Sequence, residues 1–387
     1  MKAVHPFPAR MAPEILSGKL IHLDPKPRLV WDPMCGSGTT LRLCSEQGIR
    51  SLGSDTDPLA IKMAGVATRS YAEGHLEKLT QSICDRLNGE HQRVEETPSS
   101  PCDETDAFKS YWFAEPQRSD LARLSLAIQQ LANDEADRDF LHVAMSRIII
   151  TKFRGASLAW DVSHSRPHKK KSDNDFQVIP EFLDSCRQLS EICRGATLVA
   201  PAEVKCADAR LYRPDGEVDL IMTSPPYLNA IDYMRGHKFS LVWMGWTIPQ
   251  LRALRAEAIG TEKRIVGDLE PQLKRVAEQA VVQQSCEHRL GAIIARYIAD
   301  CAAMMGNLAQ SLSADGRLVI VVADSNVRGY TVQSRRLFEE LACICGLKVC
   351  SADLRAIPTN KRYLPTTGDS KLSNRMKEEW ILQFSPA

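Results

Sequence analysis

No stretch of this 387-residue chain approaches the ~20 consecutive apolar residues of a membrane span, and Met1 to Pro13 holds no apolar core of signal-peptide length. Neither a membrane-embedded nor an exported chain is expected. Charge of one sign is missing too: 49 Lys and Arg stand against 48 Asp and Glu, a formal net charge of +1. That balance argues weakly against a binder working by bulk electrostatics and not against an enzyme gripping DNA in one groove; an acidic polymer would have to be met by a local basic surface. The 12 cysteines form no pair of CxxC units at zinc-ribbon spacing, and Cys343 and Cys345 stand too close together for one. No metal site is expected, and the scattered thiols read as reduced cysteines of a cytoplasmic protein. Internal repeats and low-complexity tracts are absent as well. What is present is ordinary: 44% hydrophobic and 25% charged residues allow a sizeable core, and the length suits one large domain or two.

The chain begins as alternating strand and helix. Arg28–Asp32 is a short apolar run ending in Asp-Pro, a strand and turn. A helical pattern from about Leu41 to Gln47 stops at Gly48, and Ile49–Ser54 reads as a second strand. Asp57-Pro58 then opens a helix with an N-cap and a proline in its first turn. Such a unit implies a parallel sheet with right-handed crossovers. From about residue 65 to 195 the texture is mainly helical, with apolar spacing over Leu121–Leu131 and Phe140–Ile150, and it carries a polar, basic run from His164 to Lys171. The alternation returns with strands at Val204–Cys206 and Val218–Thr223, a helix over Ile231–Trp246, and a helical stretch from about Leu251 to Leu312. A buried-type strand at Arg317–Ala323, a helix over Ser334–Cys345 and final strands at Lys348–Leu354 and Glu378–Phe384 follow. The expected architecture is α/β: a doubly wound, mostly parallel, Rossmann-like sheet built from residues 1–64 and 196–387, with 65–195 as a helical insertion.

Three local patterns carry chemistry. Asp32-Pro33-Met34-Cys35-Gly36-Ser37-Gly38-Thr39-Thr40 lies between a strand and a helix. Glycines there let the backbone approach a ligand, and the helix start presents free N–H groups to a carboxylate or phosphate. The pattern could equally be a tight turn, and it lacks the Gly-Lys-Ser/Thr of a Walker loop. Asp55, at the tip of the next strand and about 20 residues beyond the glycine loop, suits a ribose diol, whereas Asp57 is more simply a helix cap. Thr223-Ser224-Pro225-Pro226-Tyr227 follows a strand directly. Its prolines stiffen the loop and remove two donors, so a rigid polar edge beside an aromatic ring can hold a planar amine-bearing ring. Taken alone it could be a structural diproline turn.

Together these motifs resemble the amino-methylating DNA methyltransferases. DPMCGSGTT is similar to that family's S-adenosylmethionine loop, and TSPPY to its catalytic loop, whose common forms are DPPY, NPPY and SPPY. Asp208-Ala209 sits where the family contacts the cofactor's adenine, and the segment His5 to Met11 looks like the one that lies over the cofactor's methionine part. The resemblance covers the sheet elements and does not extend to 65–195. It implies S-adenosylmethionine as cofactor, bound by Phe7, Arg10, Asp32, Pro33, Cys35, Gly36, Ser37, Gly38, Thr39, Thr40, Asp55, Asp208, Ala209 and Thr223. It implies Ser224, Pro225, Pro226 and Tyr227 as the catalytic group. In that reading the target base leaves the duplex, Tyr227 stacks on it, and Ser224 with the Pro225 carbonyl accepts hydrogen bonds from its amine. A serine rather than an aspartate at position 224 resembles the enzymes acting on N4 of cytosine.

The expected partner is double-stranded DNA. Arg154, Arg166, Lys169, Lys170, Lys171 and Arg362 are candidate phosphate contacts, although charge runs are often solvated surface. Tyr363 could stack near Arg362, and Asp232, Tyr233 and Arg235 could line the base pocket or pair on a helix surface. A cognate restriction or defence partner and the oligomeric state stay open. Competing readings are an N6-adenine DNA methyltransferase, an RNA methyltransferase acting on a guanine amine, and a non-catalytic DNA-binding module. The RNA enzymes usually carry a terminal RNA-binding domain and an Asp before PPY; a silent module need not keep GSG, Asp55 and SPPY together.

Overall fold

Apolar residues on successive positions of the central strands look in two directions, and that alternation builds a sheet buried on both faces. The computed structural model describes residues 2–6, 11–21, 25–89, 102–228, 232–261, 264, 267–283, 288–327, 330–358 and 377–387. In chain order the first elements are α1 (Pro13–Ile21), β1 (Leu29–Asp32), α2 (Thr39–Glu46), β2 (Arg50–Asp55) and α3 (Pro58–Thr68). A helical run follows: α4 (His75–Gly89), α5 (Asp103–Trp112), α6 (Glu115–Leu131), α7 (Glu135–Ile149), a hairpin of β3 (Ala159–Trp160) and β4 (His168–Lys169), then α8 (Val178–Arg194). Next come β5 (Ala202–Cys206), β6 (Val218–Thr223), α9 (Tyr233–Leu241), α10 (Ile248–Glu257), α11 (Pro271–Ala280), β7 (Val281–Gln283) and α12 (His288–Ala309). The chain ends with β8 (Leu312–Val322), β9 (Ser325–Val327), β10 (Tyr330–Val332), α13 (Ser334–Ile344), β11 (Leu347–Ala356) and β12 (Glu378–Pro386).

The seven-stranded sheet runs β11-β12-β8-β6-β1-β2-β5. Strands β8, β6, β1, β2 and β5 are mutually parallel, and β12 is antiparallel to both its neighbours. This is a Rossmann-like α/β fold. On one face Val30, Leu220, Met222, Val319 and Val321 pack with Leu16 of α1 and Leu43 of α2. On the other, Trp31, Ile221, Leu318, Ile320 and Val322 pack with Tyr297, Met304 and Met305 of α12 and Leu337 of α13. Each of these large side chains contributes roughly 1.5–3 kcal/mol by leaving water. A further core joins α3 to α4, α6, α7, α8 and α9 through residues such as Met63, Ile83, Leu124, Phe140, Phe182 and Phe239.

Several expected elements change form. The helical stretch expected over Leu251–Leu312 is interrupted: α10, α11 and α12 are separate, and Val281–Gln283 is a strand paired with β10. Glycines at 260 and 267 take positive φ, and Pro271 restarts a helix at its first position, where no N–H is needed. The basic run at His164–Lys171 is half of a hairpin rather than a plain loop, with Ala159 opposite Lys169 and Trp160 opposite His168. The helix expected over Ile231–Trp246 is described only as Tyr233–Leu241, and β8 begins five residues earlier than Arg317. Asp57 caps α3 as expected, accepting from the Leu59 N–H at 2.9 Å. No described helix is long and apolar enough to cross a membrane.

Candidate active site

The strand order reverses between β1 and β6: β2 and β5 extend one way from β1, and β8 and β12 extend the other way from β6. In open α/β sheets the crevice at such a switch point, beyond the carboxyl ends of the strands, is the natural ligand site. The glycine loop follows β1 there and the TSPPY loop follows β6, so the fold brings the two sequence patterns side by side.

The glycine loop is tied down at several points. Cys35 N–H donates to the Ser54 carbonyl at 3.0 Å, and Gly36 N–H donates to Asp55 Oδ2 at 3.0 Å. Thr40 Oγ1 donates to Asp32 Oδ2 at 2.5 Å, and Met34 N–H to Asp32 Oδ1 at 3.2 Å. Gly38, with φ of 78°, caps α2 without any side-chain cap. A Cβ there would lie 2.8 Å from the Ala64 Cα of α3, so only glycine lets α2 and α3 approach this closely. The first turn of α2 therefore presents uncapped N–H groups, a positive end for an anion.

Beside that positive end lie two acids. Burial pushes Asp32 up to about 6, while bonds from Thr40, Met34 N–H and Thr223 draw it back. Burial, followed by the neighbouring charge of Asp57, pushes Asp55 up to about 7. Neither carboxyl has a cationic partner among the described residues. Asp57 behaves differently: burial raises it, but His237, 2.5 Å away, and backbone donors overrule burial and hold it below the usual range. His237 is on α9, so this contact clamps the helix after the TSPPY loop to the start of α3.

The TSPPY loop is held from below. Ser224 Oγ donates to the Val321 carbonyl of β8 at 2.9 Å. The hydroxyl proton is thereby committed, and what Ser224 can offer a ligand is its oxygen lone pairs. Tyr297 of α12 donates to the Pro226 carbonyl at 3.2 Å. Among the described residues none donates to the Pro225 carbonyl. Tyr227 is half-buried, and its phenol is pushed up first by burial and next by Glu379, while Ser224 draws it back. Gly260 passes beneath the loop, where a Cβ would come within 3.1 Å of the Tyr227 carbonyl. Burial, then the charges of Tyr227, Asp55 and Asp57, push the Tyr233 phenol up.

The structure thus brings together Asp32, Pro33, Cys35, Gly36, Ser37, Gly38, Thr39, Thr40, Asp55, Thr223, Ser224, Pro225, Pro226 and Tyr227. Asp208 and Ala209 follow β5, at the sheet's edge beyond β2. Asp208 is already gripped by Arg210 at 2.6 Å, and Arg210 also reaches Asp300 at 2.6 Å; the Ala209 carbonyl accepts from Asn307 at 2.8 Å. Asp232 and Arg235 pair on the α9 surface at 3.4 Å, with Arg255 joining Asp232 at 2.7 Å. Arg154 pairs with Asp175 at 2.8 Å, and Arg166, Lys169, Lys170 and Lys171 are exposed around the β3–β4 hairpin. Phe7, Arg10, Arg362 and Tyr363 lie outside the described residues. Sequence reasoning missed Tyr297, His237 and Val321. Tyr297 sits in an apolar helical pattern that gives no sign of its hydroxyl's task, and Val321 acts through its backbone.

No family model matches the chain. A stretch of 85 residues, 22% of this chain, is 33% identical to part of the Type II methyltransferase M.MjaII of Methanocaldococcus jannaschii. The match spans only 16% of that relative's length. Among solved structures, a TehB-like SAM-dependent methyltransferase from Corynebacterium glutamicum aligns at 12% identity and a TM-score of 0.31, covering 96% of this chain and 88% of that one. A SAM-dependent methyltransferase from Methanosarcina mazei aligns at 8% identity and 0.35, covering 98% and 99%. The rRNA methyltransferase aviRa from Streptomyces viridochromogenes aligns at 12% and 0.27, covering 86% and 88%. At such scores the fold rests on the chain's own sheet order.

Proposed function

We propose that this chain transfers a methyl group from S-adenosylmethionine to the exocyclic amine of a base in DNA, with N4 of cytosine favoured over N6 of adenine. The observation that carries the reading is the pairing of the glycine loop and the TSPPY loop across one switch point, with the Ser224 hydroxyl anchored on the Val321 carbonyl. The partial likeness to a type II methyltransferase supports the same class.

The residues fit the cofactor on charge. An uncapped helix start suits its carboxylate, and two acids without a cationic partner among the described residues suit its cationic centres and its ribose diol. Gly36, Ser37, Gly38, Thr39 and Thr40 would form the cradle, and Asp55 would take the diol. When bound, S-adenosylmethionine supplies an electrophilic methyl on its sulfonium. The protein's part is positioning. Ser224 and the Pro225 carbonyl accept from the target amine, drawing its lone pair out of conjugation, and Tyr227 supports the ring face. Tyr297 fixes the Pro226 carbonyl and with it the loop's pitch. The choice of cytosine follows the resemblance of a serine at position 224 to the N4-cytosine enzymes; a neutral serine is a weaker acceptor than a carboxylate and suits either base. Asp208, already paired with Arg210, serves the adenine through its backbone neighbours more readily than through its carboxylate. Residues 65–195 would meet the DNA.

Incubating the protein with methyl-labelled S-adenosylmethionine and DNA, RNA or protein extract tests the transfer. Label should enter DNA; label confined to RNA would favour the guanine-amine alternative and refute this one. Asp55 supplies a test of the cofactor site. Its ordinary value of 3.8 rises to about 7, so the folded chain keeps that proton longer than the unfolded one, and ionising it costs stability as pH climbs through that window. Only the ionised form accepts fully from a diol. Cofactor affinity should therefore tighten by up to about tenfold between pH 6 and 8, and Asp55→Asn should lose that slope. An unchanged slope in the variant, measured by calorimetry, would remove Asp55 from the site.

A further inference from the structure

The only non-glycine residues with positive φ among the described residues are Asp161 and Ser165, at 59° and 57°. They bracket the short turn Val162–His164 at the tip of the β3–β4 hairpin. Left-handed backbone in such residues costs of order 1–3 kcal/mol and persists only where surrounding structure enforces it. Here the turn is pressed onto α9: a Cβ on Gly236 would lie 2.7 Å from the Val162 carbonyl. The next residue, His237, is the one that grips Asp57. The hairpin is therefore braced, through one helix, against the start of α3 beside the candidate cofactor site.

The hairpin's outer face is unusual for this chain. Phe153 is 66% exposed and Tyr111 is 55% exposed, in a protein whose large apolar side chains are otherwise mostly buried. Phe153 meets Trp160 edge-on at 6.0 Å. Lys170 Nζ sits 4.3 Å from the Trp160 ring centroid, and Lys169 Nζ sits 4.5 Å from that of Tyr111. Lys169 also donates to the Tyr111 carbonyl at 3.1 Å, which sets its ammonium in place. Lys171, Arg166 and His168 are exposed beside them. A solvated face needs charge but not exposed rings, and an apolar protein contact would not ring its aromatics with ammonium groups. Rings flanked by cations at this spacing suit bases that stack while neighbouring phosphates are neutralised.

We infer that this face binds an unpaired stretch of DNA, stacking a base on Phe153 and holding the adjoining phosphates with Lys169 and Lys170. The inference deepens the proposed function and rests on it: the occupant is the strand opened around the extruded base. The consequence is a preference for single-stranded or locally opened DNA over closed duplex, since a base inside a duplex has no free face to stack.

The test is equilibrium binding of a fluorescein-labelled 20-nucleotide single strand and of its duplex by the full chain, over a range of salt, without cofactor. The single strand should bind more tightly. Phe153→Ala should weaken it about tenfold, as expected for one stacked base, with the salt slope unchanged and the duplex affected less. Phe153→Trp should restore binding, and because this residue is exposed both variants should melt like the wild type. Lys169→Ala with Lys170→Ala should lower the salt slope instead. Single-strand affinity unchanged in Phe153→Ala, or an equal loss on strand and duplex, would overturn the inference. Binding is read without turnover, so the two claims separate. Stacking with no label transferred to DNA sinks the proposed function alone; transfer with no stacking sinks this inference alone.

Discussion

Ser224→Ala should slow methyl transfer by about a hundredfold while leaving cofactor affinity within about twofold. The expectation follows from where the serine's proton goes. Ser224 Oγ–H points at the Val321 carbonyl, 2.9 Å away in β8, which leaves its oxygen to accept from a ligand. An acceptor fixed in advance needs no reorganisation when charge shifts in the transition state, and removing one such preorganised group costs about 10²–10³ in rate. Alanine also strands the Val321 carbonyl, a stability loss of about 1–3 kcal/mol that a melting curve would register separately. The informative split is kcat against cofactor Kd. A fall in cofactor binding with kcat preserved would mean that Ser224 only supports the fold, and the amine must then be held elsewhere.

Gly38→Ala is expected to damage both stability and cofactor binding. It combines a left-handed φ of 78° with a Cβ placed 2.8 Å from the Ala64 backbone. The backbone strain alone is worth about 1–2 kcal/mol, and separating α2 from α3 adds about 1–3 kcal/mol. Since the Gly36–Thr40 N–H groups move with α2, cofactor affinity should fall more than tenfold as well. Gly48 makes the control. Its φ is 75°, yet the nearest atom to an added Cβ is Val199 Cγ2 at 3.8 Å. Gly48→Ala should show the strain without the clash, a loss of about 1–2 kcal/mol, and near-normal cofactor binding. Equal behaviour of the two variants would contradict the packing argument.

Much of this site could be read from residue order because its parts are local. Val218–Thr223 is a mostly apolar strand, broken only by Asp219, and its loop follows immediately; β1 likewise leads straight into the glycine loop. Asp57-Pro58 announced a helix start, and the cap is there. What stayed hidden depends on contacts across long separations. Tyr297 reaches Pro226 over 71 positions and His237 reaches Asp57 over 180, and neither residue differs locally from a core tyrosine or a buried histidine. The β3–β4 hairpin was missed for another reason: strands of two residues carry no readable period. The same applies to β7, β9 and β10, at three residues each. Between α10 and α12 the apolar spacing carries on across breaks that Gly260, Gly267 and Pro271 impose through backbone geometry. Asp208 illustrates the opposite hazard. Its position after β5 suits a ligand contact, but Arg210, two residues on, has already taken its carboxylate.

The central claim is the identity of the acceptor atom, and one measurement addresses it directly. The protein is expressed in cells lacking other DNA methylation, the DNA is digested to nucleosides, and the digest is read by mass spectrometry alongside a Ser224→Ala control. The account predicts N4-methylcytosine in the wild-type digest and almost none in the control. N6-methyladenine in its place would contradict the choice of base, and no methylated nucleoside from DNA carrying the intact Ser224 and Tyr227 loop would contradict the proposed function itself.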